Sequence, residues 1–256
     1  MASKGGRPVI TSMQNKWVKL AKQLKQPKKR KKLQQFILEG EHLVAEALAA
    51  QAEIQMVLYT EDKADWVAKN IASHAECVTS DIMQEITETV TPQGILAIVN
   101  ELKVQPFSFE QANYKLLGID KVQDPGNLGT MIRTADAAGY DAVFLNKGTV
   151  DIYNAKVLRS MQGSQYHIPI YQVDFTTLLP QLVQEKVQLL ATSLGDQTID
   201  YREVEVAQKM MVIMGNEGNG VSEDILKQTQ NIFIPMPGQA ESLNVAVATG
   251  IVLFRL

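Results

Sequence analysis

Apolar positions along this chain fall into two alternating rhythms. Short apolar runs at residues 54–59, 94–99, 114–119, 142–145, 168–173, 187–193, 210–214 and 232–234, with a further one around Val78, read as buried or half-buried strands. Between them, apolar residues spaced three and four apart at 41–50, 64–71, 82–88, 129–138, 155–161, 175–185, 223–228 and onward from 243 read as helices. Strands alternating with helices predict an α/β fold. From residue 113 to 256 the pattern implies a mainly parallel sheet with helices on both faces, and residues 33–100 form a smaller α/β domain. Residues 101–112, with Pro106 and mixed polarity, look like the linker. On parallel sheets ligands sit beyond the carboxyl ends of the strands, so chemistry is sought in the loops that follow them.

Residues 1–32 break this pattern. Lys16, Lys19, Lys22, Lys25 and Lys29 recur along one side of a prospective helix, with Trp17, Leu20 and Leu24 on another and Pro27 as an interruption. The segment carries 11 of the 25 Lys and Arg and no acid, the first carboxylate being Glu39. The remaining residues hold 14 basic and 28 acidic side chains, so the formal charge of −3 joins a +11 end to a −14 body. Such a chain can grip a polyanion at one end, and Lys16, Lys19, Lys22, Lys28, Lys29 and Arg30 are the candidate contacts.

Composition excludes several other classes. With 45% hydrophobic and 21% charged residues in 256, wholesale disorder is excluded. The one cysteine, Cys77, rules out an internal disulfide and every Cys-rich zinc module. His42, His74 and His167 show no ligand spacing, so no metal is expected. The longest nearly apolar run, residues 245–254, is about half of what spans a bilayer. No apolar core of signal type follows the basic end, and the expected location is the cytoplasm.

Three loops concentrate the chemistry. In the first, Val122-Gln123-Asp124-Pro125-Gly126-Asn127-Leu128-Gly129, a turn and helix cap precede a helix that carries Arg133 off its buried stripe. The second, Gly215-Asn216-Glu217-Gly218-Asn219-Gly220, follows the apolar strand Met211-Val212-Ile213. It lacks the Gly-Lys-Ser/Thr ending of a phosphate loop and the glycine order of a dinucleotide fingerprint, so it reads as a backbone platform for an uncharged or cationic ligand, with Glu217 as its fixed charge. The third runs from Pro235-Met236-Pro237-Gly238 to Glu241-Ser242-Leu243-Asn244, where Ser242 can cap the last helix and Asn244 sits in its first turn.

In this order and at these separations the loops resemble the three signature motifs of the SpoU-type, or TrmH-like, RNA 2′-O-ribose methyltransferases of the SPOUT class, over residues 115 to 256. Residues from Phe36-Ile37-Leu38-Glu39-Gly40-Glu41-His42 onward are similar to that family's RNA-binding domain, which has a fold like ribosomal protein L30e. The segment Arg159-Ser160-Met161-Gln162-Gly163-Ser164 keeps the family's Arg-Ser and Gly but is bulkier or more polar at Met161, Gln162 and Ser164. The resemblance implies a C-terminal trefoil knot, which nothing in the periodicity shows, and a homodimer whose active site takes residues from both subunits. It implies S-adenosylmethionine as cofactor, held at Thr192, Ser193, Leu194, Gly195, Gly215, Ile234, Ser242 and Leu243. It implies catalytic roles for Asn127, Arg133, Glu217, Ser242 and Asn244. A free guanidinium is a poor base, so Arg133 is expected to hold RNA phosphate or the developing alkoxide. Ribosomal RNA is favoured over transfer RNA by the likeness of the N-terminal domain to a ribosomal protein. The alternatives are an RNA-binding or ribosome-assembly protein that does not turn over, a tRNA ribose methyltransferase, and a nucleotide-dependent oxidoreductase on an open sheet.

Overall fold

The computed structural model describes residues 8–195 and 197–256. Lys4 and Arg7 of the basic segment lie outside the described residues. Contacts divide the chain into two units, residues 8–103 with Tyr153–Tyr166, and Val104–Ile152 with His167–Leu256.

The first unit holds strands β1 (Val9–Ile10), β2 (Gln35–Glu39), β3 (Ile54–Tyr59), β4 (Ala75–Val78) and β5 (Ile95–Asn100), in the order β1-β4-β3-β5-β2. The β1/β4 and β4/β3 pairs are parallel, whereas β3/β5 and β5/β2 are antiparallel. Helices α1 (Lys16–Leu24), α2 (Pro27–Leu33), α3 (Glu41–Ala49), α4 (Ala64–Asn70) and α5 (Ser80–Ile86) complete it. Val18, Ala21 and Leu24 of α1 are buried with Ile82 and Ile86 of α5 and Leu96 and Ile98 of β5. Pro27 does not merely interrupt a helix. It starts α2 at the first helical position, where its missing N–H costs nothing.

The same unit corrects the reading of the basic segment. Arg30 is buried, 4% exposed, and its Nη1 donates to the carbonyls of Leu24 (2.9 Å) and Lys25 (3.0 Å). It satisfies carbonyls at the end of α1 that have no intrahelical partner, so its guanidinium serves as a tie between α1 and α2. Lys22 pairs with Glu85 at 2.7 Å. Lys16, Lys19 and Lys28 are exposed and Lys29 half-buried, with the Lys16 ammonium 4.8 Å from the centre of the Trp17 ring.

The second unit contains β6 (Tyr114–Ile119), α6 (Pro125–Ala137), β7 (Ala142–Asn146), β8 (Ile170–Val173), α8 (Phe175–Gln184), β9 (Gln188–Thr192), β10 (Ile199–Asp200), β11 (Lys209–Met214), α9 (Glu223–Leu226), β12 (Gln230–Phe233) and α10 (Val245–Leu253); α7 (Ala155–Met161) intervenes in sequence after β7. The sheet has seven strands in the order β10-β12-β9-β11-β6-β7-β8, and every pair is parallel. Its central strands are apolar on both faces, as a sheet covered twice requires. Phe107 and Phe109 of the expected linker pack with Tyr114, Phe144 and Tyr171, so part of that segment is tied to this core.

Between Ile152 and His167 the chain belongs to the first unit. There the Tyr153 ring stacks on Phe36 at 4.5 Å, and Arg159 Nη1 lies 3.8 Å from Glu39 Oε2. The domain expected over residues 113–256 is therefore interrupted. The apolar stripe Val157, Leu158 and Met161 predicts a helix that buries one face, but periodicity cannot say which core receives it.

Candidate active site

The carboxyl ends of β9, β11 and β12 open into one cavity of about 640 Å³ within the second unit. Its walls are the loop after β9, the glycine-rich loop after β11 and the loop between β12 and α10. Of the residues singled out from sequence, Thr192, Ser193, Leu194, Gly215, Glu217, Ile234, Ser242, Leu243 and Asn244 all line it. Gly195, also expected from sequence, is not in the lining; it follows Leu194 in the chain and its N–H donates to Ser193 Oγ at 3.2 Å. Among the described residues no lysine or arginine is in the lining, while Glu217 and Glu241 are.

The glycine-rich loop is closed upon itself. Asn216 and Gly220 exchange both backbone hydrogen bonds at 2.9 Å, and Asn216 Oδ1 accepts from the N–H groups of Gly218 (2.9 Å) and Asn219 (3.2 Å). At Gly215 a Cβ would stand 2.1 Å from the main-chain carbon of Gly220 and the nitrogen of Val221, so no side chain fits. Gly220 takes a positive φ of 67° at the close of the loop.

A chain of hydrogen bonds crosses all three motifs. Asn244 caps α10 by accepting from Ala246 N (3.0 Å) and Val247 N (3.3 Å), and its Nδ2 donates to Asn127 Oδ1 at 3.0 Å. Asn127 Nδ2 donates in turn to Glu217 Oε1 at 3.1 Å, and Glu217 also accepts from the backbone of Gln123 (3.4 Å) and Asp124 (3.3 Å). Partial burial by itself raises the Glu217 pKa, but the bonds from Asn127, its own backbone, Gln123 and Asp124 outweigh that and hold it below the ordinary carboxylate value. Asp124 caps α6 by accepting from Asn127 N at 2.8 Å, with Pro125 in the first helical position.

Two expectations need correction or refinement. The cap of α10 is Asn244, not Ser242, because the helix begins at Val245 and only Asn244 stands next to its unpaired N–H groups. The Ser242 hydroxyl makes no hydrogen bond among the described residues and borders the cavity. Arg133 is exposed on α6 and is not in the cavity lining; it lies six residues, or about 9 Å of helix rise, beyond Asn127.

Sequence reasoning also passed over Asp120, the residue after β6. It is fully buried and accepts from Ser222 N (2.9 Å), Ser222 Oγ (2.6 Å) and Asn146 Nδ2 (2.6 Å). An acid ending an apolar strand just before the first loop was the available signal. Among the described residues no group of three or more His, Cys, Asp or Glu could hold a metal, and no helix is long and apolar enough to cross a membrane.

Comparison with known proteins completes the picture. Residues 114–254 match the model of the SpoU rRNA methylase family, and residues 15–97 match an MRM3-like substrate binding domain. The chain is 41% identical over 250 residues to the 23S rRNA (guanosine(2553)-2′-O)-methyltransferase RlmP of Bacillus subtilis, covering 96% of this chain and 98% of that one. The crystal structure of an AdoMet-bound rRNA methyltransferase from Sinorhizobium meliloti superposes with a TM-score of 0.83 at 31% identity, covering 97% and 96% of the two chains. A crystal structure of an RNA 2′-O ribose methyltransferase also gives 0.83, at 27% identity.

Proposed function

The chain belongs to the SpoU rRNA methylase family, and from that premise we propose that it transfers a methyl group from S-adenosylmethionine to a ribose 2′-hydroxyl of ribosomal RNA. The observation that carries this reading is the cavity. At about 640 Å³ it has the size of a small-molecule pocket. Its lining offers backbone groups, Ser and Asn side chains and two carboxylates, with no basic residue among those described. Those groups suit a nucleoside carrying positive charge and do not suit a pyrophosphate, which speaks against the oxidoreductase alternative. Bound there, S-adenosylmethionine supplies a methyl group already activated on a sulfonium.

What remains for the protein is placement and proton handling. Gly215, Ile234 and Leu243 would bring main-chain groups against the cofactor, with Thr192, Ser193 and Leu194 at the end of β9, the strand between β11 and β12, and Gly195 next to them in the chain. Glu217, with Asn127 and Asn244, fixes the three loops relative to one another. The uncommitted Ser242 hydroxyl would meet the ribose. The 2′-oxygen forms its bond to the methyl carbon as the carbon–sulfur bond breaks, and the hydroxyl proton leaves to a base or to water. Arg133, always cationic, would hold the phosphate beside that ribose or the negative charge growing on its oxygen.

Because Arg133 stands on an open face, the reading includes a second copy of the chain. α10 is apolar except for the buried Thr249, and Val247 (53%) and Phe254 (68%) are exposed at it. A homodimer would cover that face and let each subunit's Arg133 serve the other's cavity. The exposed Lys16, Lys19 and Lys28 and the half-buried Lys29, on the domain matched as substrate binding, would collect the RNA backbone. A single cysteine can form no internal disulfide, and the reading includes a reducing cytoplasm as the place of action.

Transfer of labelled methyl groups to ribosomal RNA tests the whole. Arg133→Ala and Glu217→Ala should each lose activity while keeping the fold, and mixing the two inactive proteins should restore part of it by forming mixed dimers with one intact site. Full activity in Arg133→Ala refutes its role, and no recovery on mixing refutes the shared site.

A further inference from the structure

The glycine-rich loop closes on itself but must also be held at a fixed height above the sheet, and the two residues that follow β6 are bonded to both of its ends. On the entering side, Asn216 Nδ2 donates to the Lys121 carbonyl at 2.9 Å. On the leaving side, Ser222 gives its N–H and its hydroxyl to Asp120 Oδ2, and Lys121 Nζ lies 3.0 Å from Ser222 Oγ. The other oxygen of Asp120 accepts from Asn146 Nδ2, at the end of β7. Asp120 is 0% exposed, and Lys121 is held at φ 57°, in the left-handed region that non-glycine residues rarely adopt.

From this arrangement we infer that Asp120 is a positioning residue for cofactor binding, clamping the glycine-rich loop through Ser222 so that Gly215 to Gly220 form one wall of the cavity. The inference rests on the reading of that cavity as the S-adenosylmethionine site. A carboxylate is required for a stereochemical reason. Both oxygens of Asp120 face donors, and neither donor can be turned into an acceptor. The Ser222 N–H belongs to the main chain, and Asn146 is locked because its Oδ1 already accepts from Lys147 N (2.9 Å) and Phe175 N (3.0 Å). An asparagine at 120 has one acceptor oxygen, so its NH₂ group must point at a donor and one side of the clamp must open.

Calorimetric titration of the full chain with S-adenosylmethionine, beside initial rates at saturating RNA, checks this. Asp120→Asn should weaken cofactor affinity about tenfold, as losing one charge-assisted bond allows, with KM for the cofactor rising in step and kcat at saturation falling less than about threefold. Ser222→Ala, which keeps the N–H bond, should show the same effect at smaller size, and it serves if Asp120→Asn does not fold. The double variant should be no worse than Asp120→Asn, because both act through one clamp. A lower melting temperature with unchanged cofactor affinity in both variants would reduce Asp120 to a structural residue and overturn the inference. If the unaltered protein itself shows no binding, the cofactor reading fails first.

Discussion

Asn244 is the residue through which the third motif touches the first, and its two functions can be separated experimentally. Its Oδ1 caps α10 and its Nδ2 reaches Asn127. Replacing it with alanine removes both. An N-cap is worth roughly 0.5–2 kcal/mol and a neutral hydrogen bond about 0.5–1.5 kcal/mol. Since Asn244 is exposed, the lower part of each range applies, and the sum is about 1.5 kcal/mol. For a cooperative unit of this size that lowers Tm by about 3–6 °C. Asn244→Asp keeps an equivalent cap but places an acceptor against Asn127 Oδ1, so its Tm should stay within about 2 °C of the parent. Asn127 then loses its orientation, and with it the bridge to Glu217. Methyl transfer should therefore fall steeply in both variants, whereas only alanine lowers Tm appreciably. Differential scanning calorimetry and a labelled-methyl assay on the same preparations provide both numbers. Parental activity in Asn244→Asp would refute the claim that the Asn244–Asn127 contact orients the site.

Four further outcomes follow from the geometry. Gly215→Ala should abolish cofactor binding by calorimetry, since its Cβ would sit 2.1 Å from the Gly220 main chain; retained affinity would mean that the loop is looser than described. The Glu217 pKa is depressed in the folded protein, so the stabilisation from its hydrogen bonds is present above the ordinary carboxylate pKa and is lost as pH falls through the lower folded value. Cofactor affinity should accordingly hold from pH 8 down through 5 and collapse only in stronger acid, and Glu217→Gln should remove that acid limb. Replacing Lys16, Lys19 and Lys28 with glutamine should weaken RNA binding and flatten its salt dependence, with log K losing about 0.7–0.9 of slope per contact. Arg30→Met should instead lower Tm, because Arg30 ties α1 to α2; an altered salt slope with unchanged Tm would reinstate it as an RNA contact.

Local pattern was enough for most elements because their periodicity is strong. The strands at 54–59 and 114–119 and the helix at 155–161 are found with those bounds. Two-residue strands such as β1 and β10 have no period to read, and they exist only because a parallel neighbour, β4 or β12, accepts them. α2 was missed because five consecutive basic residues give no apolar stripe, and it is held instead by Pro27 at its start and Arg30 inside. In the site, residue types suited to their tasks stood out, such as Glu217 in a glycine-rich turn and Asn127 after Asp-Pro-Gly. Asp120 did not, since a buried carboxylate becomes intelligible only when its donors are known.

By itself the sequence determined the class of fold, the division of charge between the ends, the three loops and, through their resemblance to a family, the reaction and its cofactor. Tertiary structure decided which lysines and arginines are free to meet RNA, that Asn244 rather than Ser242 caps α10, and that residues 153–166 leave one unit for the other's core. It also decided that loops 90 and 117 residues apart meet through Glu217, Asn127 and Asn244. The physical reason is range. Caps, turns and amphipathic faces are set by neighbours within a few residues, whereas burial, hydrogen-bond pairing and the walls of a cavity depend on chain segments that only a completed sheet brings together.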